Sequence, residues 1–168
     1  MFSRRKFIAL SAGSLFVNWT RPLPRVITVN GVIDAYDLGK TLVHEHVLVD
    51  FIGADQYSEN RWDRMEVVNR AAPYYAEAKG FGVKTVLDWA PSFLGKDVRL
   101  LKMLADRTKM QIVTNTGYYG AQKDKFLAQW AFTETAEQLA ARWADDFDFG
   151  IEGTNVRPGF IKIGVDAR

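Results

Sequence analysis

The sequence predicts an α/β fold on a parallel sheet, and two observations carry that reading. After an opening hairpin, runs rich in Val, Ile and Thr alternate with helix-like runs: strand, helix, strand, helix, strand, helix, strand. Such alternation calls for parallel strands joined by right-handed crossovers. Composition agrees, since the 168 residues are 48% hydrophobic and 25% charged, which suffices for one globular core.

The elements follow in order. Val26-Ile27-Thr28-Val29 and Val32-Ile33-Asp34-Ala35 flank Asn30-Gly31, a dipeptide suited to a two-residue hairpin turn. Thr41 to Val49 reads as a strand, punctuated in front by Gly39 and Lys40. A polar loop through Asn60 leads to a helix from about Asp63 to Lys79, stopped by Gly80 and Gly82. Pro73 should kink that helix or break it in two. Val83 to Asp88 is a second strand. Asp97 to Arg107 is a helix with Val98, Leu101, Leu104 and Ala105 on one stripe. Gln111 to Asn115 is a third strand. Thr135-Ala136-Glu137-Gln138 is a capping box, opening a helix with Leu139, Trp143 and Phe147 on its buried side. Phe160 to Ile163 is a fourth strand.

Four parallel strands fit a small open sheet or the first half of a (β/α)8 barrel, which when complete takes about 250 residues. The last strand ends where a βα-loop should begin. The expectation is therefore the first four βα units of a barrel, an incomplete one, with no internal repeat and no second domain.

Charge and residue usage exclude several classes. A net charge of +2, with no basic stripe carrying interleaved aromatics, argues against a nucleic-acid partner. The absence of cysteine removes disulfides, thiolate metal sites and a cysteine nucleophile. At the start, Ser3-Arg4-Arg5-Lys6-Phe7-Ile8 joins a twin arginine to an apolar run ending at Val17. That run falls short of the ~20 apolar residues of a bilayer span, but it has the length of a signal-peptide core. Residues 1–24 resemble a twin-arginine export signal. The expected location is periplasmic or exported, with residues 25–168 as the mature domain and no membrane span once the signal is removed.

The chain's only two histidines, His44 and His46, stand two apart in the first strand. Alternation puts both rings on one face, where two imidazoles can grip a first-row divalent ion. Glu45 points the other way and reads as a structural carboxylate. Lys162 is the second candidate. On a strand buried on both faces, with Phe160, Lys162 and Gly164 on one side and Ile161, Ile163 and Val165 on the other, its amine would be desolvated and turned toward the neutral, nucleophilic form. Such an amine can add carbon dioxide to become a carbamate. Alternatively Lys162 reaches solvent or pairs with Asp166.

Five segments share a pattern in one order: Gly39-Lys40-Thr41-Leu42-Val43-His44-Glu45-His46, Gly82 to Asp88, Gly95-Lys96-Asp97-Val98, Thr116-Gly117-Tyr118-Tyr119 and the long run Gly150 to Lys162. Through them the chain resembles the amino-terminal half of a phosphotriesterase-family protein of the amidohydrolase superfamily. The resemblance implies a hydrolase with two divalent ions, zinc first and cobalt, manganese or iron next. It assigns His44 and His46 to the more buried ion and Lys162 to a carbamate bridging both. It implies attack by a shared hydroxide on a small phosphotriester (organophosphate), lactone or related ester, and a homodimer in full-length form. Tyr119 either aligns with an aromatic that faces the metals, as in lactonase-like members, where its hydroxyl meets substrate or bridging water, or is a packed loop aromatic. Asp88 either orients a ligand histidine or caps the turn after its strand, while Arg157 and Asp166 have no assigned role.

The family also needs histidines from strands five and six and an aspartate from strand eight, which lie past Arg168. This chain is therefore expected to be an inactive, association-prone fragment. Two other readings remain open: a non-catalytic exported binding module on the same scaffold, and another amidohydrolase-like hydrolase.

Overall fold

A computed structural model describes residues 23–166, so the export-signal reading falls almost wholly outside the described residues. Strands β1 (Arg25–Thr28) and β2 (Gly31–Asp34) form the expected antiparallel hairpin. Then come β3 (Lys40–Glu45), α1 (Arg64–Gly80), β4 (Val83–Asp88), α2 (Val98–Thr108), β5 (Gln111–Val113), β6 (Asn115–Thr116), α3 (Ala136–Phe149) and β7 (Phe160–Ile161).

The sheet runs β3–β4–β5, all parallel, and β6 pairs in parallel with β7. Because β5 and β6 are one stretch of chain interrupted at Thr114, spatial order repeats chain order, as in a (β/α)-barrel wall. Among the described residues the wall does not close. The third strand is thus split where one was expected, and the fourth ends at Ile161, not Ile163. A parallel bridge between Tyr119 and Gly164 continues the contact past the break.

Helix positions follow the sequence closely, because each start carries a cap. Asp63 accepts from the amide of Glu66, Asp97 from Leu100 and Thr135 from Gln138, the last as a complete capping box. Asp97 also takes the Trp62 indole at 2.9 Å and the Arg64 guanidinium at 2.6 Å, which locks the start of α2 to the start of α1. Pro73 lies inside α1 without splitting it. Val68, Ala71, Ala72 and Tyr75 hold both halves against the core, and this packing offsets the lost backbone bond.

The main core lies between the helices and the sheet. It joins Val68, Val98, Leu101, Leu104 and Ala105 to Ile112, with all four expected α2 stripe residues buried. A smaller cluster of Val83, Val86 and Met110 packs against Leu42 and Tyr75. Two burial expectations fail. Leu139, Trp143 and Phe147 are only half-buried. Ile161, Ile163 and Val165 are 55%, 60% and 78% exposed, and Lys162 is half-buried. The reason is shared: β7 is an edge strand with no neighbour beyond it among the described residues. No helix there is long and apolar enough to cross a membrane.

Candidate metal centre

The site gathers at the carboxyl ends of the parallel strands, where barrels of this kind place their chemistry. The histidine strand ends at Glu45, well short of Val49, and its register against β4 shifts between Leu42 and Glu45. His46 therefore stands one residue past the strand, free of strict alternation. The rings nonetheless meet, with centroids 5.3 Å apart and planes at 59°. Burial, then the nearby Lys162, then His44 hold His46 below the usual histidine range. That favours the neutral imidazole, the form that ligates metal.

Lys162 reaches the same place from β7. Its amide donates to the Thr116 carbonyl at 2.7 Å, an approach that only Gly117 permits, since a Cβ there would collide with the Lys162 carbonyl. Its Nζ donates to the Trp89 carbonyl at 3.1 Å. Burial lowers its pKa, against the opposing pull of Asp88. It does not pair with Asp166, whose Oδ2 accepts from the Lys123 amide at 3.0 Å.

Tyr119 arrives with its ring face: Lys162 Nζ lies 5.2 Å from the centroid, and Phe126 meets the ring edge-to-face at 6.0 Å. Gly164 lies beneath that ring, with no room for a Cβ. Glu45 lies along a groove of about 520 Å³ between β3 and α1, exposed, with His46 at the same border.

The residue missed from sequence is Trp89. Its ring stacks on His44 at 4.5 Å and 19°, and packs against Phe160 at 4.9 Å. Its position, immediately past β4 at the carboxyl face, was the available signal.

Asp88 binds backbone on two sides, capping the turn after its strand as one of its two readings expected. Its Oδ1 accepts from the Val47 amide at 3.0 Å, fixing the backbone next to His46, and the Ala90 amide caps it from the following turn. It is 1% exposed, and Oδ2 has no partner. Burial pushes its pKa up to about 7, against those amides and the charges of Lys96 and Lys162. The folded chain thus holds this proton more tightly than the unfolded chain, whose carboxyl titrates near 4. The advantage is full below pH ~4 and is lost as pH rises to 7, about 4 kcal/mol across the window. Asp88→Asn should remove most of this dependence and be more stable than the parent at pH 8. Denaturant melts at pH 4, 6 and 8 check it; parallel profiles would sink the assignment.

Two facing imidazoles, one held toward neutrality, and a desolvated amine fit a divalent first-row ion by donor type. Among the described residues no three His, Cys, Asp or Glu side chains come together.

A parallel βα wall whose spatial order repeats its chain order defines the fold class, that of a (β/α)-barrel wall. The phosphotriesterase family model matches residues 24–168, and the chain belongs to that family. It is 30% identical over 134 residues to an aryldialkylphosphatase of Saccharolobus solfataricus, covering 80% of this chain and 42% of that one. It is 31% identical over 149 residues to a phosphotriesterase homology protein of Mycobacterium tuberculosis, covering 86% and 46%. The organophosphorus hydrolase of Deinococcus radiodurans superposes with a TM-score of 0.68 at 25% identity, covering 83% of this chain and 43% of that one. The chain spans a little under half the length of the curated relatives it matches.

Proposed function

We propose that this chain carries the first-strand and fourth-strand ligands of a binuclear metal-dependent hydrolase acting on a phosphotriester, lactone or related ester. The observation that carries the reading is the convergence of His44, His46 and Lys162 from β3 and β7 on one carboxyl-end site. Membership of the family and the aryldialkylphosphatase name of one relative support the substrate class.

His44 and His46 would hold one ion, zinc before cobalt, manganese or iron. The Lys162 amine would form a bond from nitrogen to the carbon of carbon dioxide and release a proton to water. The resulting carbamate is an anionic two-oxygen ligand able to bridge to a second ion. When bound, such ions lower the pKa of a shared water and polarise the substrate's oxygen. Tyr119, beside Lys162, would border the bound substrate, and the partial burial of His46 beside Lys162 and His44 would keep its imidazole neutral and available for ligation.

Cobalt(II) titration of the chain, followed by its visible absorption, tests the centre. The expected result is saturable binding that His44→Ala and His46→Ala each weaken by roughly a hundredfold, the upper end of the range for residues that merely support a ligand. Unchanged binding in both variants would exclude the assignment.

A further inference from the structure

We propose that Trp89 is the positioning residue of this centre, setting His44 through its ring and Lys162 through its carbonyl. The proposal rests on the metal-centre reading above and extends it to a residue that supplies no ligand atom.

Strands β3 and β7 are not neighbours, because β4 and the β5–β6 run lie between them. Two ligand groups borne on separated strands need a common reference, or their relative positions drift with the sheet's twist. Trp89 spans the gap. The 19° stack on His44 leaves that imidazole one plane, with its nitrogens directed along the stack face and not into it. The Trp89 carbonyl takes Lys162 Nζ at 3.1 Å, and the same amine lies 5.6 Å from the indole centroid. Both groups are thus referred to one side chain and its own peptide. A long, rotamer-rich lysine gains most from such a restraint.

Trp89 is itself immobilised. Its amide donates to the Glu45 carbonyl at 2.8 Å, between the two histidines in sequence. The carbonyls on either side, of Asp88 and Ala90, both accept from Asn115 Nδ2, at 3.0 and 3.1 Å. Asn115 has no exposed surface, and its own carbonyl takes the ammonium of Lys96, 1% exposed, at 3.2 Å. A buried polar bracket from β6 therefore clamps the Trp89 peptide. Packing alone would not require Asn115 to bind both flanking carbonyls, nor the indole to lie flat on a histidine.

The test compares parent, Trp89→Phe, Trp89→Leu and His46→Ala in cobalt(II) titrations of the whole chain. Affinity and the visible cobalt spectrum are read alongside melts of the metal-free proteins. Trp89→Leu should bind about tenfold more weakly with an altered spectrum and an unchanged metal-free melt, while Trp89→Phe recovers most of both. If Trp89→Leu matches the parent in affinity and spectrum while His46→Ala loses the ion, the positioning role is overturned and the centre stands. If His46→Ala also matches the parent, the centre itself falls. Should Trp89→Leu not fold, parent and Trp89→Phe still decide. Cobalt should quench a part of the parent's tryptophan emission that Trp89→Phe lacks, and equal fractional quenching in the two places Trp89 away from the ion and overturns the proposal.

Discussion

Lys162→Ala is expected to weaken divalent-metal retention by roughly a hundredfold, and a short carboxylate such as propionate should restore part of it. The argument is one of charge and donor count. His44 and His46 supply two neutral nitrogens, and no acidic side chain joins them among the described residues. Among the described residues Glu45 stands exposed and Asp88 is turned to the Val47 amide, so the Lys162 amine, half-buried and held below the usual lysine range by desolvation, is the group whose carbamate would bring negative charge to the two rings. Removing it leaves a two-nitrogen site with no negative charge to offset the ion. Equilibrium dialysis of zinc in bicarbonate and in carbon-dioxide-free buffer separates the carbamate from the bare amine, since only the carbamate depends on bicarbonate. Parent binding that ignores bicarbonate, or an alanine variant that equals the parent, would rule out the carbamate.

The 168-residue chain is also expected to self-associate at micromolar concentration. Its sheet has two outer strands with no partner among the described residues, and both present apolar side chains. Val43 on β3 is 64% exposed, and Ile161 on β7 with Ile163 and Val165 just past it are 55%, 60% and 78% exposed. Unpaired parallel edges with apolar side chains are templates for further strand addition, and a barrel wall removes them only by closing. Sedimentation velocity should show dimers or larger species. Ile163→Lys combined with Val165→Lys should shift the distribution toward monomer, because charge on an edge opposes pairing. A monodisperse parent monomer with a cooperative melt would show that these edges carry no such drive.

Much of this architecture was legible in the linear sequence because its determinants are local. Asp63, Asp97 and Thr135 announce their helices as caps, and Val98, Leu101, Leu104 and Ala105 announce a buried face by spacing alone. Asn30-Gly31 specifies its hairpin by backbone preference. The His44/His46 spacing and the Gly150 to Lys162 run carried the family resemblance, and the family match over residues 24–168 bears the family out.

The failures are all non-local. The interruption at Thr114, the early ends of β3 and β7 and the half-burial of α3 depend on which neighbours each segment meets. Pro73 stays within one helix because the surrounding core holds it there. Tryptophan 89 carries no motif, and its importance exists only once β3, β4 and β7 stand side by side.

What the sequence determined by itself was the set of elements, their parallel order and the family, and it singled out His44, His46 and Lys162 as candidates, since caps, periodicity and short motifs act within a few residues of themselves. What tertiary structure alone decided was how those candidates meet: His44 flat on Trp89, Lys162 on the Trp89 carbonyl, and Asn115 and Lys96 bracketing that peptide. These contacts join residues as far as 73 positions apart. Sheet twist and close packing, not any local preference, bring such distant groups within hydrogen-bonding reach.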